Sequence, residues 1–465
     1  MGTPKRNESL FIFSDLVADT QNITRRINPA DKLPTPVIIP DRPWEDQLVL
    51  IFGRAIYDEQ ESVFKMWYAA GADYKLVCYA TSTDGITWDK PDLDAVLIDG
   101  KPTNVILFGR DTTYLEPFGV VKDLSDPDSA RRYKLSCKSA IKPYRGPLEH
   151  PHMPESRRGA GTYISPDGIH WTLENAFTED MVCDISHYFQ EPEDGSFVMH
   201  TRDRLSPGNN DGRWATWGWG RAVARIDSPD LRTWTKGKLV FAADQDDPEG
   251  SEIYSLAVFP CAGRYLGLSQ MFYGLEDQCL LDVQLVTSND AWTFERVDPR
   301  TPFIAEGGIG SWDRFNISIG DMPPVDVGDE HWFYYSGRNY RHGPYSGPDT
   351  SPKEDKWTGI GLARIKRGRF LSFEASFDGG TVTSTPFVLN GNVLELNANA
   401  RYGSVEVELR DHQGNPLEGW TSTVEGQDGT AVPVAFPIGS VSELAGQTVQ
   451  AHFTIRNAQL YGFNL

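Results

Sequence analysis

Ser82-Thr83-Asp84-Gly85-Ile86-Thr87-Trp88 returns further along the chain as Ser165-Pro166-Asp167-Gly168-Ile169-His170-Trp171. Ser228-Pro229-Asp230-Leu231-Arg232-Thr233-Trp234 keeps the frame, and Ser288-Asn289-Asp290-Ala291-Trp292-Thr293-Phe294 keeps it with Phe in place of Trp. Strand-like runs precede the copies, among them Leu76-Val77-Cys78-Tyr79-Ala80 and Asp282-Val283-Gln284-Leu285-Val286. The stretch therefore reads as strand, tight turn, and an aromatic that returns to the core. An Asp side chain bonds backbone amides inside such a turn, and Gly85 and Gly168 supply the positive φ that it needs. Multi-stranded units repeating every few tens of residues predict a β-propeller.

Working outward from the turns, residues 1–40 read as an irregular N-terminal arm rich in Pro and Asn. Five units of one plan follow over 41–375: three strands, the Ser-x-Asp turn, and a short outer strand. The first has strands in Leu48–Ile56, Phe64–Ala69 and Leu76–Thr81, and in the fifth the turn has degenerated to Lys366-Arg367-Gly368-Arg369-Phe370. From 376 to 465 the runs Val393-Leu394-Glu395-Leu396, Ser404-Val405-Glu406-Val407-Glu408-Leu409 and Val449-Gln450-Ala451-His452-Phe453 alternate apolar and polar residues, with Asn390-Gly391 as a turn signal. Period-two alternation marks half-buried antiparallel strands. The expected fold class is all-β: a five-bladed β-propeller followed by a small C-terminal β-sandwich.

A net charge of −21 argues against nucleic acid and anionic membranes as partners. The aromatic share of 12% suits β-rich cores and sugar-stacking surfaces alike. Five cysteines without Cys-x-x-Cys spacing indicate neither a disulfide framework nor a zinc site. No apolar run is long enough to span a bilayer, and Met1 to Leu10 lacks the apolar stretch of a signal peptide. A soluble protein is expected, cytoplasmic or exported with a leader removed.

Topology then selects candidate residues. In an up-and-down blade the start of the innermost strand and the loop after the second strand lie on one face of the disc. At the innermost starts stand Glu45 with Asp46, Glu116, Asp184, Glu252 and Asp313, roughly 60 to 70 residues apart as blade period requires. At second-strand ends come Arg202 with Asp203, and Arg338; the longest following loops are Lys138–Ala160 with His150 and His152, Leu205–Gly220 with Trp214, Trp217 and Trp219, and Asn339–Lys356 with His342. Each acid taken alone suits a solvated strand end or turn cap. Their recurrence at one topological position points to a funnel lined with carboxylates, which suits glycoside hydrolysis: one carboxyl protonates the leaving oxygen and an ionised one attacks the sugar or activates water. A third nearby acid keeps the donor protonated.

The five-unit plan, the Ser-x-Asp-x-x-x-Trp frame, the early acidic Pro40-Asp41-Arg42-Pro43-Trp44-Glu45 and the C-terminal strands resemble the five-bladed propeller glycosidases of the invertase, levanase and arabinanase kind. The resemblance covers Asp41 to the end. It implies an early nucleophile or base at Glu45 or Asp41, a tuning acid at Asp184 and a proton donor at Glu252. The Asn-Asp-Pro-Asn-Gly and Arg-Asp-Pro signatures of invertases do not occur, and Arg202-Asp203 is a partial echo. Glu116, Arg202, Asp313, Arg338, His342 and Trp217 are expected to bind a carbohydrate substrate. Arg offers bidentate donors to vicinal hydroxyls, a carboxylate or a sulfate. Trp214, Trp217 and Trp219 either stack on sugar faces or pack the inserted loop. Long rim loops predict an exo-acting pocket.

No cofactor is implied. His150, His152, His187 and His342 could approach one another around a divalent cation, without a recognised ligand spacing, and Asp244-Gln245-Asp246-Asp247-Pro248-Glu249 reads as a solvated acidic loop rather than a calcium loop. Two other function classes remain open: a sialidase-like or lyase propeller, the lyase using Tyr and His for proton transfer, and a non-catalytic carbohydrate-binding propeller.

Overall fold

The computed structural model describes residues 8–71, 76–108, 116–140, 158–175, 185–205, 210, 212–215, 220–274, 279–320, 322–342 and 356–465. Among the described residues the chain is all β, with only short 3-10 turns between strands. No helix there is long and apolar enough to cross a membrane, and the four described cysteines are free.

The recurring turn is built from its own seven residues. Ser82 Oγ donates to Asp84 Oδ1 at 2.9 Å and accepts the Gly85 N–H at 2.8 Å. Asp84 Oδ1 accepts the N–H groups of Ile86 and Thr87 at 2.8 and 2.7 Å, and these amides hold the Asp84 carboxyl down at about 2. The other three copies repeat these bonds. The fourth residue of the seven is left-handed in every copy, with φ of 72° at Gly85, 81° at Gly168, 61° at Leu231 and 57° at Ala291.

That residue's carbonyl also joins neighbouring sheets. Trp67 Nε1 of the first sheet donates to Gly168 O of the second, and Thr162 Oγ1 of the second to Leu231 O of the third, both at 2.7 Å. His200 Nε2 of the third donates to Ala291 O of the fourth at 3.2 Å, and Tyr334 Oη of the fifth donates to Gly85 O of the first at 2.7 Å. Apolar cores follow the same cycle. Along Val63–Ala70, Phe64, Met66 and Tyr68 pack with Trp332, Tyr334 and Leu362 of the fifth sheet. Trp67, one residue out of phase, packs with Tyr133 and Leu135 of the second. Period-two strands buried on both faces thus place each sheet between two others.

Gly85 leaves no room for a side chain at one of these junctions. A Cβ there would lie 2.8 Å from Trp332 Cζ3 and 2.9 Å from Tyr334 Oη, on a backbone already at φ 72°. Gly85→Ala is expected to destabilise the protein by about 2–4 kcal/mol, from left-handed strain plus overpacking. Denaturant unfolding checks this; an unchanged midpoint would mean that the turn shifts freely.

Four features differ from the expectations. The stretch Leu48–Ile56 is two strands, Val49–Leu50 and Ala55–Asp58, because the chain crosses so close at Gly53 that a Cβ would lie 2.3 Å from Trp67 O. The fourth and fifth units form one continuous nine-stranded sheet, joined by the parallel pair Leu281 and Asn316. The fifth unit's outer strand is Asp31–Lys32 from the N-terminal segment, paired with Thr358–Lys366. The arm is not irregular: Glu8–Leu10, Val17–Gln21 and Thr24–Ile27 pair with Ala458–Asn464, Gly380–Ser384 and Leu371–Ala375. Phe11 is fully buried, stacked on Phe373 at 5.5 Å and edge-on to Phe453. These strands complete two six-stranded sheets that share one apolar core with the fourth and fifth units.

Candidate active site

At one end of the cycle, residues from three sheets form an apolar floor: Leu50, Phe52 and Ala69 of the first, Ile185 ahead of the third, and Tyr254, Phe272, Cys279 and Leu281 of the fourth. Glu252 is the second residue of the strand Ser251–Cys261 at this end and is 2% exposed. Its Oε1 accepts the Gly220 N–H at 2.8 Å, and its Oε2 is paired with Arg221. The Arg221 guanidinium lies over the rings of Phe272 and Tyr254, 4.8 and 5.5 Å from their centroids, and Arg202 lies over Tyr254 at 4.9 Å.

Tyr254 falls at a register shift between Ile253 and Ser255, a bulge of the kind that re-aims a side chain. Its Oη meets His342 Nε2 at 2.6 Å. The His342 N–H donates to Cys279 O at 3.1 Å, which ties the start of that loop to the floor. Burial pushes the His342 imidazole down to about 3, and the charges of Arg338, Arg221 and Arg202 push the same way. At neutral pH the ring is therefore uncharged, and with Tyr254 donating, Nε2 is its acceptor and Nδ1 carries the proton. One carboxylate, one phenol–imidazole pair and three guanidinium groups thus converge above an apolar surface.

The other sequence candidates divide. Glu45 is fully buried, and its oxygens accept from the Asp41 and Arg42 N–H groups at 2.9 and 3.0 Å and from Lys90 Nζ and Tyr68 Oη at 2.7 Å each. This network closes a 3-10 turn and occupies both carboxylate oxygens. Asp41 is exposed and pairs with Lys90 at 2.6 Å. Asp313, 2% exposed, accepts from Lys32 Nζ at 2.7 Å and Tyr335 Oη at 2.9 Å. Burial alone would raise its carboxyl, but Lys32 and Ser311 hold it below the usual range. It is a strut between the N-terminal segment and the fifth sheet. Trp214 packs edge-on against Phe241 in the core between the third and fourth sheets. Asp184, Trp217, Trp219, His150 and His152 lie outside the described residues, as does the side chain of Glu116.

His187 is buried, with Nε2 3.3 Å from Ser255 Oγ, and among the described residues no three or more His, Cys, Asp or Glu are grouped to hold a metal ion. The acidic run at 244–249 is solvated at Gln245, Asp246, Pro248 and Glu249, but Asp244 pairs with Arg300 at 2.6 Å, and the buried Asp247 with Arg300 at 3.1 Å and with Arg296. Two residues of the cluster were missed in the sequence. Arg221 begins a third strand, which by topology starts on the same face as Glu252; Tyr254 follows Glu252 by two residues but needs the bulge to reach His342.

No family model and no curated protein sequence matches the chain. Several solved structures are similar to it. One is an N-acetylgalactosamine deacetylase from F. plautii in complex with blood group B trisaccharide, with 17% identity over 75% of this chain and 96% of that one, at a TM-score of 0.43. A second belongs to work on the GH130 family of mannoside phosphorylases, containing glycoside hydrolases that target β-1,2 mannosidic linkages in Candida mannan, with 14% identity, 74% and 95% coverage and a TM-score of 0.45. A third is the Bombyx mori GH32 β-fructofuranosidase BmSUC1, with 10% identity, 98% and 97% coverage and a TM-score of 0.40. Likeness at this level concerns the path of the chain and carries no argument about chemistry.

Proposed function

We propose that the cycle of sheets is a five-bladed β-propeller, that the two six-stranded sheets are a β-sandwich, and that the propeller is a glycoside hydrolase acting on the floor described above. The supporting observation is the convergence of Glu252, Arg221, Arg202, Arg338, Tyr254 and His342 at one end of the cycle. A carboxylate and directed donors over apolar rings are what hold sugar hydroxyls around a glycosidic oxygen. Glu252 accepts on both oxygens, which suits the nucleophile or base rather than the proton donor expected from sequence. Asp184, next in the chain to the floor residue Ile185, supplies the second carboxyl and protonates the leaving oxygen. The enzyme is exo-acting, since three long insertions follow second strands.

A second reading, β-elimination at a uronic acid, is favoured by the 2.6 Å contact of Tyr254 with His342. A neutral imidazole beside a phenol can take the proton α to a carboxylate and return one to the leaving oxygen, while arginines neutralise the carboxylate. One experiment separates the readings. The protein is incubated with neutral and acidic polysaccharides, and both new reducing ends and the ultraviolet absorbance of a conjugated, unsaturated uronate are followed. Reducing ends alone, appearing as single sugars, support exo-hydrolysis, and a ladder of oligomers removes the exo assignment. Absorbance rising with the reducing ends selects elimination. Silence in both, with polysaccharide still bound, overturns both in favour of a binding module.

A further inference from the structure

On the opposite face of the fourth sheet from Glu252, Asp282 and Gln284 stand two residues apart on Leu280–Ser288 and so point the same way. Tyr273 Oη donates to Asp282 Oδ2 at 3.0 Å, and Gln284 Nε2 donates to Tyr273 Oη at 3.0 Å. This chain of donors orients both side chains. It leaves Asp282 Oδ1 and Gln284 Oε1 without a hydrogen-bond partner, although the residues are only 4% and 6% exposed. Unpaired buried acceptors are costly and rare, so two side by side ask for something that satisfies both.

A second carboxylate is near. Ile304 bridges Val283, and Phe303 N–H donates to Val283 O at 2.7 Å, which lays the connector between the fourth and fifth units along this strand and brings Glu306 to it. Burial first, and then the Glu306 charge, push the Asp282 carboxyl up to about 7. Burial raises Glu306 as well, against the charge of Lys32, whose own hydrogen bonds go to Asp313 and to Ala305 O; the Asp313 charge adds to the rise. Arg296 acts on Asp282 from a distance, but its own hydrogen bonds go to Asp247 and to Met271 Sδ. Neither cation donates to Asp282 Oδ1 or Gln284 Oε1, so the group keeps two free oxygen acceptors.

We propose that Asp282 Oδ1, Gln284 Oε1 and the Glu306 carboxylate form a binding site for one hard divalent cation of the Ca²⁺ class, tying the fourth sheet to the connector. Carboxylate and amide oxygens without nitrogen or sulfur select Ca²⁺ over zinc, and two carboxylates balance its charge. The site is separate from the catalytic reading and stands or falls without it.

The test titrates Ca²⁺ into chelator-treated protein, followed by calorimetry and thermal unfolding. Wild type is expected to bind one Ca²⁺ per chain saturably, with Tm rising by a few degrees. Asp282→Asn and Glu306→Gln are each expected to lose both responses. Glu306 is partly exposed, so its variant decides alone should Asp282→Asn fail to fold. A wild type indifferent to Ca²⁺ overturns the proposal, and a higher Tm in Asp282→Asn would then show that a proton on Asp282 satisfies the pair. A Ca²⁺ response retained in both variants overturns it too, since binding would then lie elsewhere on this acidic protein.

Discussion

Glu252→Gln is expected to lower kcat by roughly 10²–10⁴-fold on whichever carbohydrate the protein cleaves, the range typical for removing a group that acts in the transition state. The change is nearly isosteric, so substrate should still bind and KM should move little. Its structural cost is separable. Glu252 accepts from the Gly220 N–H on one oxygen and from Arg221 on the other, and an amide has only one acceptor. One donor therefore meets an NH₂ group, at a cost of about 1–3 kcal/mol. Steady-state kinetics beside denaturant unfolding distinguishes the two effects. Full turnover in a folded variant would remove Glu252 from the chemistry and leave the Tyr254–His342 pair as the remaining candidate.

Glu45→Ala is expected to have the largest effect on stability, about 3–5 kcal/mol, the range for breaking a buried ion pair from one side. Lys90, whose side chain is 6% exposed, would lose its buried partner. The Tyr68 hydroxyl and the Asp41 and Arg42 amides would lose their acceptor at the same time. Glu45→Gln keeps one oxygen and the shape, so it is expected to destabilise less and to retain activity per folded molecule. That combination distinguishes a structural carboxylate from the base that the acidic Pro40–Glu45 motif suggested. A stable Glu45→Gln without turnover would restore the catalytic assignment.

The sequence assigns these two glutamates the same topological position in their units, yet Glu45 ends a 3-10 turn ahead of its strand while Glu252 lies within its own, and their surroundings differ completely. Lys90, 45 residues from Glu45 along the chain, closes the first acid; Arg221 and Gly220, about 30 residues before Glu252, leave the second at the apolar floor beside Tyr254. Asp313 is closed in turn by Lys32, 281 residues away. An acid's place in a repeat can be read from spacing. Whether a distant cation has already claimed it cannot, because charge pairing depends on distance in space and not along the chain.

What the sequence by itself determined is what is local. The Ser-x-Asp turns were legible because every bond that makes them lies within seven residues, and strand periodicity was legible because a sheet buried on both faces must alternate its partners. The all-β class and the succession of units followed from those two facts. Tertiary structure alone decided the rest: the pairing of Glu8–Leu10 with Ala458–Asn464 at the far end of the chain, and the outer strand that Asp31–Lys32 lends the fifth unit. It also decided the bulge that brings Tyr254 to His342 and the pair of unsatisfied oxygens at Asp282 and Gln284. The strand pairings and the Tyr254–His342 contact join residues far apart in sequence, and the unpaired oxygens depend on what packs around them; geometry set by packing of the whole leaves no periodic trace in the chain.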